Sequence, residues 1–363
     1  MREEIIFAYN QEKGRKMVGD LRGKKPVFVC IVATTDTAKI PGLSAAGQNP
    51  DLTDYTPPAD VELLYYDRCK CFDGVPVTPE GIPTPALITA SALKLGQIPV
   101  FVVNGGLRVL PQTPYIDVGG APGTDITTGK AVANVHEIIE RTRIAGQSFA
   151  KSAEYLVIGE SIPGGTTTAL ALLLALGVDA EGKVSSSMPV NPHTLKTQVA
   201  MRGLDSAGIK FGDLRSDPEK AIELVGDPMQ AAAAGFVLGV GGEIPLLLAG
   251  GTQMAAVAAV IHFLKPECLE QAVIATTRWI VQDRTSDIRA LVDQTARIPI
   301  VAANLNFSQS THRGLSAYEE GAVREGVGAG GAAVAAILKS QGGITCQMLQ
   351  HEIEVNYTQM MRR

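Results

Sequence analysis

The feature that most constrains this chain is an alternation: short apolar runs rich in β-branched residues, several ending in a polar or glycine-rich turn, with helix-like stretches between most of them. The runs lie at residues 26–33, 61–66, 98–103, 155–158, 245–248, 272–275 and 298–303. Such short, uniformly apolar runs read as strands buried on both faces. Helix-like stretches at 131–151, 167–176, 192–206, 254–264 and 286–296 lie between most of them. The alternation predicts an α/β fold, with a mostly parallel Rossmann-like sheet and helices on both faces. In open sheets of that kind ligands bind beyond the carboxyl ends of the strands. Here those ends carry polar or glycine-rich turns such as Thr34-Thr35-Asp36, Asn104-Gly105-Gly106 and Gly250-Gly251-Thr252. One α/β body over residues 24–343 is expected. The chain ends, with helices over residues 3–21 and 347–362, are expected to pack as a small helical cap of residues 1–23 and 344–363. The stretch 40–85, rich in Pro, Gly, Asp and Thr, reads as a long functional loop.

Composition narrows the function classes. Of 363 residues 45% are apolar and 19% charged, which is enough to build a large core. A net charge of −5 with few aromatic residues gives no footprint for nucleic acid. The apolar stretch 244–264 is broken by Pro245, Gly250, Gly251, Gln253 and His262, so strand, turn and helix are expected there instead of a membrane span. The first residues, charged at Arg2, Glu3 and Glu4, lack the apolar core of a signal peptide, and a cytoplasmic location is expected. Five scattered cysteines make no disulfide framework, and Cys69-Lys70-Cys71 lacks a second ligand pair for a metal.

Two glycine-rich turns carry the chemistry. The first runs from Gly159 through Glu160 and Gly164-Gly165-Thr166-Thr167, between a strand and a helix, so its free amides form an anion site suited to phosphate. It lacks the lysine of a P-loop, Gly165 standing there, and it does not match a dinucleotide-binding turn. The plainer reading is a turn whose threonines only cap the helix. The second turn, Arg324-Glu325-Gly326-Val327-Gly328-Ala329-Gly330-Gly331, places a carboxylate before a backbone with little side-chain bulk. Glu325 there is a candidate general base if buried, or a solvated carboxylate paired with Arg324. Lys196 reads as a solvated lysine on a helix. His193, His262 and His312 are too scattered for a metal site or a triad. Glu243, at the end of a helix, is either a terminal carboxylate or a ligand contact.

Four blocks, in order, resemble the nicotinate-nucleotide:dimethylbenzimidazole phosphoribosyltransferases, and the match is nearest to an archaeal-type group. Gly159, Glu160, Gly164, Thr166 and Thr167 match that family's Gly-Glu-Met-Gly-Ile-Gly-Asn-Thr-Thr turn. Gly123-Thr124-Asp125-Ile126-Thr127 is similar to its Gly-Thr-x-Asp-Ile-Thr. Asp227-Pro228, Val240-Gly241-Gly242-Glu243-Ile244 and Leu248-Ala249-Gly250 match a third block, and Glu325-Gly326-Val327-Gly328-Ala329 matches its terminal Gly-Glu-Gly-x-Gly-Ala. The resemblance implies a homodimer that moves the phosphoribosyl group of nicotinate mononucleotide onto an aromatic base, within assembly of the cobalamin nucleotide loop. It implies Glu325 as the base that deprotonates the acceptor and Glu160 as a carboxylate stabilising charge on the ribose. It implies Gly164, Gly165, Thr166, Thr167, Lys196 and Ser308 on the nucleotide and phosphate side, and Thr84 and Gly326 on the base side. No cofactor or metal is required. Thr84-Pro85-Ala86-Leu87 lacks the family's base-holding glutamine, which leaves dimethylbenzimidazole, adenine or another purine open as acceptor. A non-catalytic nucleotide-binding or regulatory protein on the same fold is the alternative; a Rossmann oxidoreductase is disfavoured by the missing dinucleotide turn.

Overall fold

Strand β2 (Pro26–Ala33) lies inside a single eight-stranded sheet, and the chain leaves it in both directions. On one side stand β3 (Val100–Gly106) and the short β4 (Ile116–Asp117). On the other stand β5 (Tyr155–Ser161), β6 (Leu246–Ala249), β7 (Ala272–Thr277) and β8 (Ile300–Ala303), parallel to β2 and to one another. The strand order thus reverses at β2, which creates the crevice where α/β sheets hold ligands. The computed structural model describes residues 3–46, 50–78 and 81–362.

Period-two alternation divides the core into two apolar layers. In β2, Val29, Ile31 and Ala33 face one layer and Phe28, Cys30 and Val32 the other. The first layer is covered by helices Val135–Ala150, Gly165–Ala175, Pro228–Val240 and Thr252–Leu264, the second by Ala86–Gly96, Ala329–Lys339 and Cys346–Met361. The apolar stretch 244–264 resolves into β6, a turn and a helix, and among the described residues no helix is long and apolar enough to cross a membrane.

Two local expectations are corrected. Residues 61–66, read as a strand, are the second half of helix Thr56–Tyr66. Pro57 and Pro58 open that helix, where a missing N–H costs nothing, and its apolar run is too short for periodicity to decide. Residues 3–21 are not one helix. Ile5–Tyr9 forms β1, paired antiparallel with β8 at the sheet edge, and Asn10 in the left-handed region turns the chain into helix Gln11–Asp20. The terminal helix Cys346–Met361 packs on Ala86–Gly96.

Candidate active site

A cavity of about 490 Å³ opens beyond the ends of β5 and β6, and both turn glutamates line it. The turns touch through their backbones. The Val327 amide donates to the Glu160 carbonyl at 2.9 Å, and a Cβ on Gly159 would stand 2.7 Å from Phe28 Cζ and 3.2 Å from Gly328 Cα. Gly328 takes φ 67°, and its own Cβ would stand 3.0 Å from Gly159 Cα. Only paired glycines let the two loops approach so closely. Gly330 allows a further approach: a Cβ there would lie 1.8 Å from the Thr276 carbonyl carbon. The glycines after Gly326 thus serve to seat the helix start on β5, β6 and β7, and Gly326 itself lines the cavity.

That seating gives Glu325 its donors. Thr276 Oγ1, at the end of β7, donates to Oε2 at 3.1 Å, Gly326 N donates to Oε1 at 3.1 Å, and Gly330 N lies 3.3 Å from both oxygens. Burial pushes the Glu325 carboxyl up to about 7, and these hydrogen bonds keep it from rising further. Arg324 is not its surface partner. That side chain is buried, pairs with Asp283 at 3.4 Å, and donates to the carbonyls of Ser186 and Met188.

Glu160 has the opposite surroundings. It is buried and pushed well above the usual carboxylate range, first by burial, then by the charges of Asp227, Glu325 and Asp60, with only the Ile162 amide opposing. Asp227 caps helix Pro228–Val240 in a reciprocal box with Gln230 and also accepts from Thr168 Oγ1 at 2.5 Å. Asp60 carries no mark of a site residue in the sequence, because it lies in a segment that reads as loop. It lines the cavity from helix Thr56–Tyr66, accepts from Ser161 Oγ and Thr84 Oγ1 at 2.6 Å each, and is pushed up by burial to about 6. No lysine, arginine or histidine lines the cavity among the described residues. Positive charge stands behind its wall instead.

Ser185, Ser186 and Ser187 form that wall, and Gly164, Gly165 and Thr166 also line the cavity. Lys196 is fully buried, against the expectation of a solvated lysine, and its Nζ donates to the Ser185 carbonyl at 2.5 Å. Burial, assisted by Arg324, brings its pKa down to about 7. The Val323 amide holds the Ser187 carbonyl at 2.9 Å, so Val323, Arg324 and Lys196 together fix the serine loop. In the first turn, Gly165 N and Thr167 N are taken by the Ile162 and Gly164 carbonyls. The Thr166 amide has no such partner among the described residues and stands at the start of helix Gly165–Ala175.

No family model matches the chain. Proteins similar to it are a UPF0284 protein of Methanothermobacter thermautotrophicus, 46% identical over 332 residues with 90% of this chain and 91% of the relative covered, and one of Pyrococcus furiosus, 46% identical over 341 residues with 93% and 99% covered. The chain belongs to the UPF0284 family. Among solved structures it resembles the nicotinate-nucleotide-dimethylbenzimidazole phosphoribosyltransferase of Thermus thermophilus, with TM-score 0.59 and 19% identity over 91% of this chain and 83% of that one. A structure of CobT from the same organism matches at TM-score 0.59 and 16% identity, covering 92% and 88%. The α/β fold of these transferases, expected from the four sequence blocks, is therefore the fold of this UPF0284 protein.

The expected site residues do not all gather at the cavity of the UPF0284 chain. Glu160, Gly164, Gly165, Thr166, Glu325, Gly326 and Thr84 line it. Thr167 faces the interior, its hydroxyl buried without a partner, and Lys196 acts through Ser185. Ser308 is exposed in a turn closed by Asn306, which accepts from the Ser308 amide at 2.9 Å, and it is away from the cavity. Other strand ends are spent on structure. Asn104 Oδ1 accepts from the Gly106 and Leu107 amides, and Thr35 Oγ1 bonds the Thr124 carbonyl, so the Gly123–Thr127 block braces the end of β2. Glu243 is exposed, and His193 and His312 bond Thr285 O and Thr358 Oγ1.

Proposed function

We propose that this UPF0284 protein is a phosphoribosyltransferase that moves the phosphoribosyl group of nicotinate mononucleotide onto an aromatic base. The observation that carries the reading is the cavity's charge pattern: four carboxylates line it, those of Asp60, Asp73, Glu160 and Glu325, no basic side chain lies on its surface among the described residues, and buried Lys196 and Arg324, the latter paired with Asp283, stand behind the serine wall. A donor with a cationic pyridinium ring and an anionic phosphate at its other end complements that pattern. The ring nitrogen belongs near Glu160 and the phosphate by the Thr166 amide and the Ser185–Ser187 loop, where helix start and cations favour an anion.

The acceptor lies along Glu325 and Thr84, with Gly326 against its face. One acceptor nitrogen attacks ribose C1 as Glu325 takes the proton from the other. The bond from C1 to the pyridinium nitrogen breaks, its electron pair neutralises that ring, and nicotinate leaves without needing a proton. A base with a pKa of about 7 is matched to working near neutral pH. Glu160, ionised opposite a cation, stabilises the positive charge that builds on the ribose. Release of nicotinate that requires an added base, with formation of the ribosylated base, tests the reading. Absence of turnover across dimethylbenzimidazole, benzimidazole and adenine contradicts it, and thermal stabilisation by nicotinate mononucleotide without product would mark a binding protein instead.

A further inference from the structure

The cavity has two unlike walls. The turn after β5 and the serine loop form a polar wall of amides and hydroxyls, while Tyr55, Phe72, Val75, Val77, Ile82 and Pro85 form an apolar one. A flat ring fits the apolar wall. The one ionisable group that helix Thr56–Tyr66 sends to the cavity beside that wall is Asp60, 2% exposed.

Asp60 is held in place by both partners of the junction. Thr84 Oγ1 fixes Oδ1 from the start of helix Ala86–Gly96, and Ser161 Oγ fixes Oδ2 from the end of β5. Thr84 in turn is fixed by its amide, which donates to the Pro76 carbonyl at 3.0 Å, and by the Ala86 amide, which donates to its hydroxyl at 3.3 Å. Each Asp60 oxygen thus gives one acceptor site to a hydroxyl and keeps a second. A carboxylate is acceptor-only, so a ring atom with a hydrogen to donate gains a charge-assisted bond, whereas a methyl group leaves the buried charge without one.

We infer that Asp60 is a specificity-determining residue that selects an acceptor base bearing an N–H or O–H donor on its ring edge, such as an aminopurine, over a base that presents only methyl groups there. The inference rests on the transferase reading for the identity of the bound ring, and Glu325 remains the proton acceptor. Thr84 and Ser161 are positioning residues that hold the Asp60 carboxylate in place at the cavity.

The test is calorimetric binding of adenine, 5-aminobenzimidazole and 5,6-dimethylbenzimidazole to the whole protein, with and without nicotinate mononucleotide, for wild type and Asp60→Asn. Wild type is expected to bind the two amino-bearing bases about tenfold or more tighter than the dimethyl base, the size of one hydrogen bond to a charged group. Asp60→Asn is expected to compress that ratio toward unity. Thr84→Val, which keeps the carboxylate but frees one oxygen, is expected to reduce the ratio less. A wild-type preference for the dimethyl base, or an unchanged ratio in a folded Asp60→Asn protein, overturns the inference. Because the readout is binding, failure of every base to release nicotinate sinks the transferase reading while the Asp60 ratio is still decided.

Discussion

The two glutamates are the same residue in two glycine-rich turns, and their surroundings differ in the number of donors. Glu325 receives hydrogen bonds from Thr276, Gly326 and Gly330. Glu160 receives one from the Ile162 amide and faces Asp227, Glu325 and Asp60. Burial raises both carboxyls, but donors hold the first near neutrality while neighbouring carboxylates drive the second higher. In the proposed reaction the first takes the proton. The second lies among carboxylates, which in the proposed reaction suits it to the cationic donor. A residue's role here is set by what its turn is packed against, not by the turn's own sequence.

The comparison is broken most directly at Glu325. Glu325→Gln removes the proton acceptor and keeps the shape, so kcat should fall by about 10²–10⁴-fold, with calorimetry showing nicotinate mononucleotide binding retained. Glu160→Gln should lower kcat/KM by about 10²-fold, because it removes charge stabilisation from the ribose side. The same change sharpens the comparison through stability. A carboxyl raised in the folded protein binds more protons than in the unfolded chain, so stability is fully present below the unfolded value and is lost as pH rises through the folded one. Glu160→Gln should therefore raise the melting temperature of the unliganded protein at pH 8 and change it little at pH 4. Equal shifts at both pH values would contradict a carboxyl raised by burial and charged neighbours.

Lys196→Met tests the donor side from behind the wall. Loss of its bond to the Ser185 carbonyl should raise KM for nicotinate mononucleotide by roughly tenfold with kcat less affected. An unchanged KM would detach the serine loop from phosphate binding. Ser308→Ala, exposed and remote, should leave both kinetic constants and stability within about 0.5 kcal/mol of wild type.

Much of the fold was legible because β-branched runs buried on both faces leave a strong signal. Residues 26–33 match β2 to its ends, and the runs in β5, β6 and β7 match within a few residues. The errors fell at a sheet edge, where tertiary pairing outweighed local pattern, and at a helix start. Ile5–Tyr9 becomes a strand only because β8 offers an edge, and residues 61–66 join a helix because Pro57 and Pro58 start one. Glu160 and Glu325 were legible through glycines whose spacing has a steric cause, the contact of Gly159 with Gly328. Asp60 carried no such mark. It sits on an ordinary helix, and only folding brings Thr84 and Ser161 to it. Lys196 looked solvated because a single lysine gives no sign of the carbonyl it is buried against.

The division of labour between the turns is tested most directly by the pH dependence of kcat for nicotinate release, at saturating nicotinate mononucleotide, in wild type, Glu325→Gln and Glu160→Gln. The expected wild-type profile rises through a limb at about pH 7 as Glu325 loses its proton. That limb should vanish in Glu325→Gln and persist, at lower amplitude, in Glu160→Gln. A limb that survives in Glu325→Gln and disappears in Glu160→Gln would move the proton transfer to the first turn and contradict the account.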